Sequence, residues 1–240
     1  MLTFKKIVLY YNRTINYCER TMIMRYKLVI FDMDGTILDT LDDLADSVNY
    51  ALNAEGYPLR SIDEVRCFVG NGIRKLIERS VPNGTELQNI DNVHRRFTEY
   101  YTEHCADKTK PYEGIIRLID NLHKNGCKTA VVSNKANYAV QSLCSQYFEE
   151  KFDMAVGEQQ PIYNKKPAPD LVNLVMKKLN VSACDTVYIG DSDVDIMTAA
   201  NAGIECIIVD WGFRSREFLI EKGAEKIVSS ASELEEIFMI

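Results

Sequence analysis

Leu28-Val29-Ile30-Phe31-Asp32-Met33-Asp34-Gly35-Thr36 decides how the rest of the chain is read. The apolar run 28–31 has no polar interruption and predicts a strand buried on both faces, and Gly35 then breaks the extended pattern. Two carboxylates, Asp32 and Asp34, therefore stand where the strand ends. In an open α/β sheet, ligands gather outside the carboxyl ends of the strands. Paired acids there suit a hard cation, or a nucleophile and an acid/base group in different environments. An ordinary Asp-Gly turn would account for the same residues. A calcium loop would not: its template wants Gly sixth and Glu twelfth, and counting from Asp32 those positions hold Ile37 and Asp43.

Three further polar clusters occupy equivalent places. Val131-Val132-Ser133-Asn134-Lys135 puts a hydroxyl and an amide at the end of a predicted strand just before a helix, where free N–H groups bind anions, although Ser133 as a plain helix cap fits as well. Lys165-Lys166-Pro167-Ala168-Pro169-Asp170 sets two lysines in a loop stiffened by prolines; solvated surface lysine is the ordinary fate of such residues. Ile189-Gly190-Asp191-Ser192-Asp193-Val194-Asp195 ends another buried strand on acidic groups, and it too fails the calcium template, with Ile196 sixth and Ala202 twelfth.

Around these clusters, strand and helix patterns alternate. Strands are predicted at 129–133, 152–156, 186–189, 204–209 and 226–228, with helices at 115–124, 138–147, 169–179, 194–202, 216–222 and from Ser232. That alternation implies a doubly wound α/β fold with a parallel sheet. Between about 39 and 109 no strand pattern occurs. Leu41, Leu44, Ala45, Val48 and Leu52 recur at helical spacing, with Asp42, Asp43 and Asp46 where the helix dipole favours anions. Ser61-Ile62-Asp63-Glu64 has capping-box spacing, Gly70-Asn71-Gly72 interrupts, and helices follow at 73–80 and 85–105. The chain thus divides into an extension (1–24), a core (25–39 and 110–240) and an all-helical insertion (40–109).

With 28 basic and 35 acidic residues the formal charge is −7, so no basic field invites nucleic acid or an anionic membrane. A phosphorylated ligand is repelled overall and needs a site built locally from a metal, a lysine or backbone N–H groups. Seven cysteines (Cys18, Cys67, Cys105, Cys127, Cys144, Cys184 and Cys206), odd in number and without a C-x-x-C pair, argue against a disulfide framework and a zinc site. They are read as reduced, mostly core residues of a cytoplasmic protein. No segment approaches a membrane span. The first 24 residues hold Lys5, Lys6, Arg13 and Arg20 around a short apolar run, and Met22 and Met24 precede the first strand; a dispensable extension is expected, with a start assigned too far upstream as one explanation.

Read together, the four clusters resemble the four ordered signatures of the haloacid dehalogenase superfamily: DxDGT, a strand-end Ser, a Lys before Pro, and GDSxxD. The resemblance runs from about Tyr26 to the C-terminus. It implies a Rossmann-like core with an inserted helical cap, and phosphomonoester hydrolysis through an aspartyl-phosphate. By that resemblance Asp32 is the nucleophile and Asp34 the acid/base. Ser133 and the N–H of Asn134 hold phosphoryl oxygens, with Thr36 also on the substrate side, and Lys166 neutralises charge. Asp191, Asp32 and the backbone carbonyl of Asp34 coordinate Mg²⁺, while Asp195 orients the loop or a metal-bound water. On that assignment four carboxylates meet one magnesium and one lysine, leaving a net charge of about −1 before a phosphate arrives.

The insertion lies where this superfamily places a cap, with hinges near 37–40 and 109–114. Within it, Phe68-Val69-Gly70-Asn71-Gly72-Ile73-Arg74-Lys75-Leu76-Ile77-Glu78-Arg79 is similar to the VGNG…L…R segment of phosphoglycolate phosphatases, as are His104-Cys105 and Pro111-Tyr112-Glu113-Gly114. Gly70, Asn71 and Gly72 bring bare N–H groups near a small carboxylate on this reading, with Arg74 as its cationic partner; a turn between two helices, and an Arg74 facing solvent, are the ordinary alternatives. The resemblance implies 2-phosphoglycolate or a similar small phosphorylated metabolite as substrate. A pyrophosphatase or a broad sugar-phosphate or nucleotide phosphatase shares every catalytic residue named. A hexose-phosphate mutase on the same core carries a histidine twelve residues past the nucleophile, where this chain has Leu44, and Glu-Asp-Ser where it has Gly190-Asp191-Ser192. A non-catalytic phospho-acceptor would need neither Asp34 nor a cap.

Overall fold

Strand β1 (Leu28–Phe31) forms where the apolar run predicts it, at the centre of a sheet that buries all four of its residues. The computed structural model describes residues 24–149 and 151–238. The expected extension lies outside the described residues except for Met24, and so does Cys18. The sheet order is β5 (Met154–Glu158), β4 (Lys128–Ala136), β1, β6 (Thr186–Gly190), β7 (Glu205–Val209), β8 (Ile227–Val228), and each pairing is parallel. Alternation along β1 sends Leu28 and Ile30 into an apolar cluster with α7 (Asp170–Leu179) and α8 (Asp193–Ala202). Val29 and Phe31 enter a second cluster with α5 (Ile115–Lys124), α6 (Asn137–Phe148) and α10 (Ala231–Phe238). Two covered faces are why the strand reads as a continuous apolar run.

The topology places the polar clusters. From β1 the chain winds outward to β4 and β5, then restarts on the other side at β6, so a crevice opens at the carboxyl ends of β1 and β6. Phe31 is in register with Val131 and with Ile189. Asp32, Ser133 and Asp191, one or two residues further along, therefore reach the same sheet edge.

Four helices are inserted after the first turn of chain: α1 (Leu41–Ala54), α2 (Ile62–Phe68), α3 (Ile73–Ser80) and α4 (Leu87–His104). Ser61 and Glu64 form the expected capping box on α2. The stretches expected as hinges near 37–40 and 109–114 pair with each other: β2 (Leu38–Asp39) runs antiparallel to β3 (Lys110–Pro111), with Leu38 opposite Pro111 and Asp39 opposite Lys110. Two residues per strand are too few to show a period. Nearby, Asp43 is buried and does more than favour a dipole. Its carboxylate accepts the N–H groups of Lys108 (3.0 Å) and Thr109 (2.8 Å) and the Thr109 hydroxyl (2.8 Å), tying the start of the insertion to its end.

Strand β4 continues past its predicted end to Ala136, with a register shift between Val132 and Ala136. The N-cap of α6 is Ala136, which makes no side-chain cap bond, so Ser133 is not a helix cap. Among the described cysteines Cys105, Cys127 and Cys144 are buried, whereas Cys67 and Cys184 are exposed, fewer in the core than expected. No helix among the described residues is long and apolar enough to cross a membrane. Replacing Asp43 with Ala strands three donors, two of them backbone, and should lower unfolding free energy by about 3 kcal/mol in urea denaturation; a loss below ~0.5 kcal/mol would show that the carboxylate ties nothing.

Candidate active site

The sheet edge gathers charge that burial makes costly. Asp32, Asp191 and Asp195 are all buried, and one carboxylate oxygen from each lies within 4.8 Å of the others. Lys166 Nζ stands 2.9 Å from Asp32 Oδ1, 2.7 Å from Asp195 Oδ1 and 3.0 Å from the Tyr188 hydroxyl. The Asp32 contact is an ion pair by distance but lacks hydrogen-bond alignment, so Asp32 Oδ1 is buried without a hydrogen-bond donor. Burial, offset in part by Lys166 and reinforced by Asp195, pushes Asp32 from its ordinary 3.8 up to about 6. Burial, with the carboxylates of Asp195 and Asp32 beside it, holds Asp191 well above the usual range. Lys166 is held above its ordinary value, because the charges on Asp195 and Asp32 outweigh its desolvation.

Each charged group is fixed by something behind it. Asn134 Nδ2 donates to the Lys166 carbonyl (3.1 Å) and to that of Gly70 (3.2 Å), and its Oδ1 accepts the Lys166 N–H (2.8 Å). Its side chain thus holds the lysine loop. Asp195 spends both oxygens: Oδ1 on Lys166, Oδ2 on the N–H groups of Asp191 (3.2 Å) and Ser192 (3.1 Å) and the Ser192 hydroxyl (2.6 Å). These contacts make Asp195 an anchor of the loop, one of the two roles the resemblance implies for it. Asp191 Oδ2 accepts the Phe213 N–H at 2.7 Å. Gly35, at φ +82°, lies so close that a Cβ would fall 2.3 Å from Asp191 Oδ2, and a Cβ on Gly212 would fall 2.4 Å from it. Only glycine lets the two loops approach Asp191 this way.

Asp34 Oδ1 accepts from the Thr40 hydroxyl (2.8 Å) and from Lys135 Nζ (2.8 Å). Lys135 is buried, and its ammonium also donates to the Tyr101 hydroxyl of α4. Sequence reasoning assigned roles to neither Lys135 nor Tyr101. The one available signal was the position of Lys135 directly after Ser133-Asn134.

Asp32, Asp34, Ser133, Asn134, Lys135 and Asp191 line a cavity of about 50 Å³, closed on the insertion side by Val69, Gly70, Gly72, Ile73, Leu76 and Tyr101, with Leu44, Phe213 and Arg214 beside them. Three expected substrate contacts lie elsewhere. Thr36 does not line the cavity; its hydroxyl is buried without a partner and its carbonyl accepts Trp211 Nε1 at 3.1 Å. Asn71 faces a neighbouring groove, its Oδ1 taken by Arg79 and its carbonyl by Lys165. Arg74 is drawn to Glu78 one turn along the same helix (3.0 Å) and to Asp91. The guanidinium at the cavity is that of Arg214, which donates to the carbonyls of Arg66 (2.8 Å) and Val69 (2.7 Å).

A sheet edge with this constellation is that of a phosphatase of the haloacid dehalogenase type. Residues 29–209 match the family model described as haloacid dehalogenase-like hydrolase, and the chain belongs to that family. It is 31% identical over 222 residues to a phosphoglycolate phosphatase of Vibrio parahaemolyticus, covering 89% of this chain and 96% of that one. It is also similar to a crystal structure from Lactobacillus delbrueckii subsp. bulgaricus, with 39% identity, TM-score 0.85, and coverage of 90% of this chain and 99% of that one. CbbY from Rhodobacter sphaeroides, solved in complex with phosphate, is 26% identical with TM-score 0.72, covering 87% of this chain and 96% of that one.

The raised carboxyls make a stability test of the cluster. Asp32 and Asp191 bind protons more tightly folded than unfolded, so the cation-free protein loses stability as pH rises above about 4, through about 6 for Asp32 and further for Asp191. A divalent cation at the cluster would offset that loss. Thermal melts should show a larger Mg²⁺-induced rise in Tm near pH ~7.5 than near pH ~5; no rise at either would mean that no cation binds there, and an equal rise at both that its binding does not displace these protons.

Proposed function

We propose that this phosphatase is a Mg²⁺-dependent phosphomonoester hydrolase that works through phospho-Asp32 and prefers 2-phosphoglycolate or a similarly small phosphorylated acid. The observation that carries the reading is Asp32 itself: a buried carboxylate at the cavity, held by an ammonium group and with one oxygen lacking a hydrogen-bond donor. Asp32 attacks phosphorus, the ester P–O bond breaks, and the departing alkoxide takes the proton of Asp34. Water then attacks the phosphoryl group, Asp34 takes a proton from that water, and the P–O bond to Asp32 breaks to release inorganic phosphate. Ser133 lies at the cavity to hold a phosphoryl oxygen, and Lys166 keeps charge balanced on Asp32.

The donor set fits a divalent cation. Asp32, Asp34, Asp191 and Asp195 face two ammonium groups, Lys166 and Lys135, and a 2+ ion would cancel the remaining charge. Asp32, Asp191 and the main chain at Asp34 would hold Mg²⁺, which supplies the positive charge that lets a carboxylate and a phosphate dianion approach. That CbbY, a neighbour of the same fold, was solved in complex with phosphate supports a phosphate-binding reading.

For the leaving group, the walls are the argument. Leu44, Val69, Ile73, Leu76 and Phe213 are apolar, which disfavours the hydroxyls of a sugar; the charge of the Arg214 guanidinium, two of whose N–H groups are on carbonyls, supports recognition of a carboxylate. Leu44 also occupies the position where the mutases carry histidine, and its apolar side chain favours hydrolysis over transfer. In a panel with glucose 6-phosphate, pyrophosphate and AMP, kcat/KM should be highest for 2-phosphoglycolate by roughly 10²-fold. EDTA should abolish turnover and Mg²⁺ restore it, and Asp32→Asn should lower kcat by at least ~10³-fold. A 2-phosphoglycolate value well below the best of the panel would overturn the substrate, and activity surviving chelation would overturn the metal.

A further inference from the structure

Lys135 is a buried cation that the steps above leave without a task. Its side chain is 2% exposed, in the irregular end of β4, where an unpaired ammonium would cost several kcal/mol. It is retained by partners from two other segments: the Asp34 carboxylate at 2.8 Å, and Tyr101 of α4, whose hydroxyl it meets and whose ring centroid lies 4.8 Å away. Thr40, the N-cap residue of α1, turns its hydroxyl to the same Asp34 oxygen at 2.8 Å and makes no cap bond to its helix. Both donors converge on Oδ1, leaving Oδ2 as the oxygen from which a proton can be delivered.

We propose that Lys135 is the positioning residue that makes Asp34 an effective proton donor, and that Tyr101 makes this arrangement depend on α4 lying against the core. The inference rests on the assignment of Asp34 as the acid. As the ester P–O bond breaks, the proton leaves Asp34 for the alkoxide oxygen and negative charge appears on a carboxylate already 2.8 Å from an ammonium. A fixed donor of this kind stabilises developing charge without rearrangement. The benefit is greatest when the leaving group most needs a proton. Lys166 has no share in it, since its ammonium is taken by Asp32, Asp195 and Tyr188 on the other side of the site. Tyr101 sits on the inserted helix, so displacing α4 removes one of the two groups that hold the ammonium in place.

The test separates leaving groups. Phosphorylation rates are measured in single turnovers with ethyl phosphate, whose alkoxide must be protonated, and with p-nitrophenyl phosphate, whose phenolate leaves unaided. Lys135→Met should slow the ethyl ester about 10²-fold more than the nitrophenyl ester. Tyr101→Phe, which keeps the ring and removes the hydroxyl, should shift the same ratio in the same direction by a smaller factor, and it decides the matter if Lys135→Met does not fold. Equal slowing of both esters in the folded variants would reduce Lys135 to a structural ion pair and overturn the proposal. Asp34→Asn run alongside distinguishes the two levels: equal slowing there overturns the acid assignment and this inference with it, whereas a leaving-group dependence in Asp34→Asn but not in the other two overturns the inference alone.

Discussion

A carboxylate kept out of water at residue 32 is the constraint to which the rest of the structure answers. Moving such a group from solvent into a protein interior costs several kcal/mol unless a cation accompanies it. Lys166 is that cation, and much of the surrounding architecture exists to keep its ammonium in place. Asn134 clamps the lysine backbone through both of its amide atoms, Asp195 and Tyr188 take its remaining hydrogen bonds, and the Tyr188 hydroxyl donates onward to the Val132 carbonyl at 2.8 Å. A β4 residue, a β6 residue and the loop before α7 thereby act on one oxygen of the β1 loop.

The arrangement is tense by design of the fold. Four carboxylates against two ammonium groups is a configuration that a globular protein would not choose for stability alone, and burial beside one another holds Asp32 and Asp191 above the ordinary carboxylate range. It survives because the sheet beneath is rigid, buried on both faces and in register across β4, β1 and β6. The inserted helices close the space above. Arg214, Asn134 and Lys165 from the core donate to the carbonyls of residues 66, 69, 70 and 71, so the Gly70–Gly72 turn is gripped through its backbone. That grip explains how a turn with two glycines at positive φ can form a defined cavity wall.

How much of this was legible in the sequence divides along a physical line. Local periodicity placed the helices at 73–80 and 115–124 to the residue and the strands to within one to three residues at each end, because those patterns are set by an element packing on its neighbouring layers. Asp32, Asp191 and Lys166 were readable because each belongs to a short signature at a strand end or beside a proline. The residues missed are those whose meaning comes from a distant partner. Lys135 and Tyr101 are 34 residues apart, and Lys135 and Asp34 are 101 apart. Nothing in the β7–α9 segment, with α9 at Arg216–Glu221, marks Arg214 as the arginine that returns to the cavity. Arg74 misled for the converse reason: its glycine-rich neighbourhood suggested a ligand, while Glu78 one turn away had already claimed it.

The most direct measurement is chemical trapping of the covalent intermediate. The protein is mixed with Mg²⁺ and substrate, quenched in acid within a turnover, treated with borohydride and mapped by peptide mass spectrometry. An acyl phosphate on the nucleophile is reduced to homoserine, and the expected result is that conversion at residue 32 alone, absent without substrate. Unmodified Asp32 under conditions where phosphate has been released, or conversion at a different acidic residue, would remove the nucleophile from the place on which the whole arrangement depends.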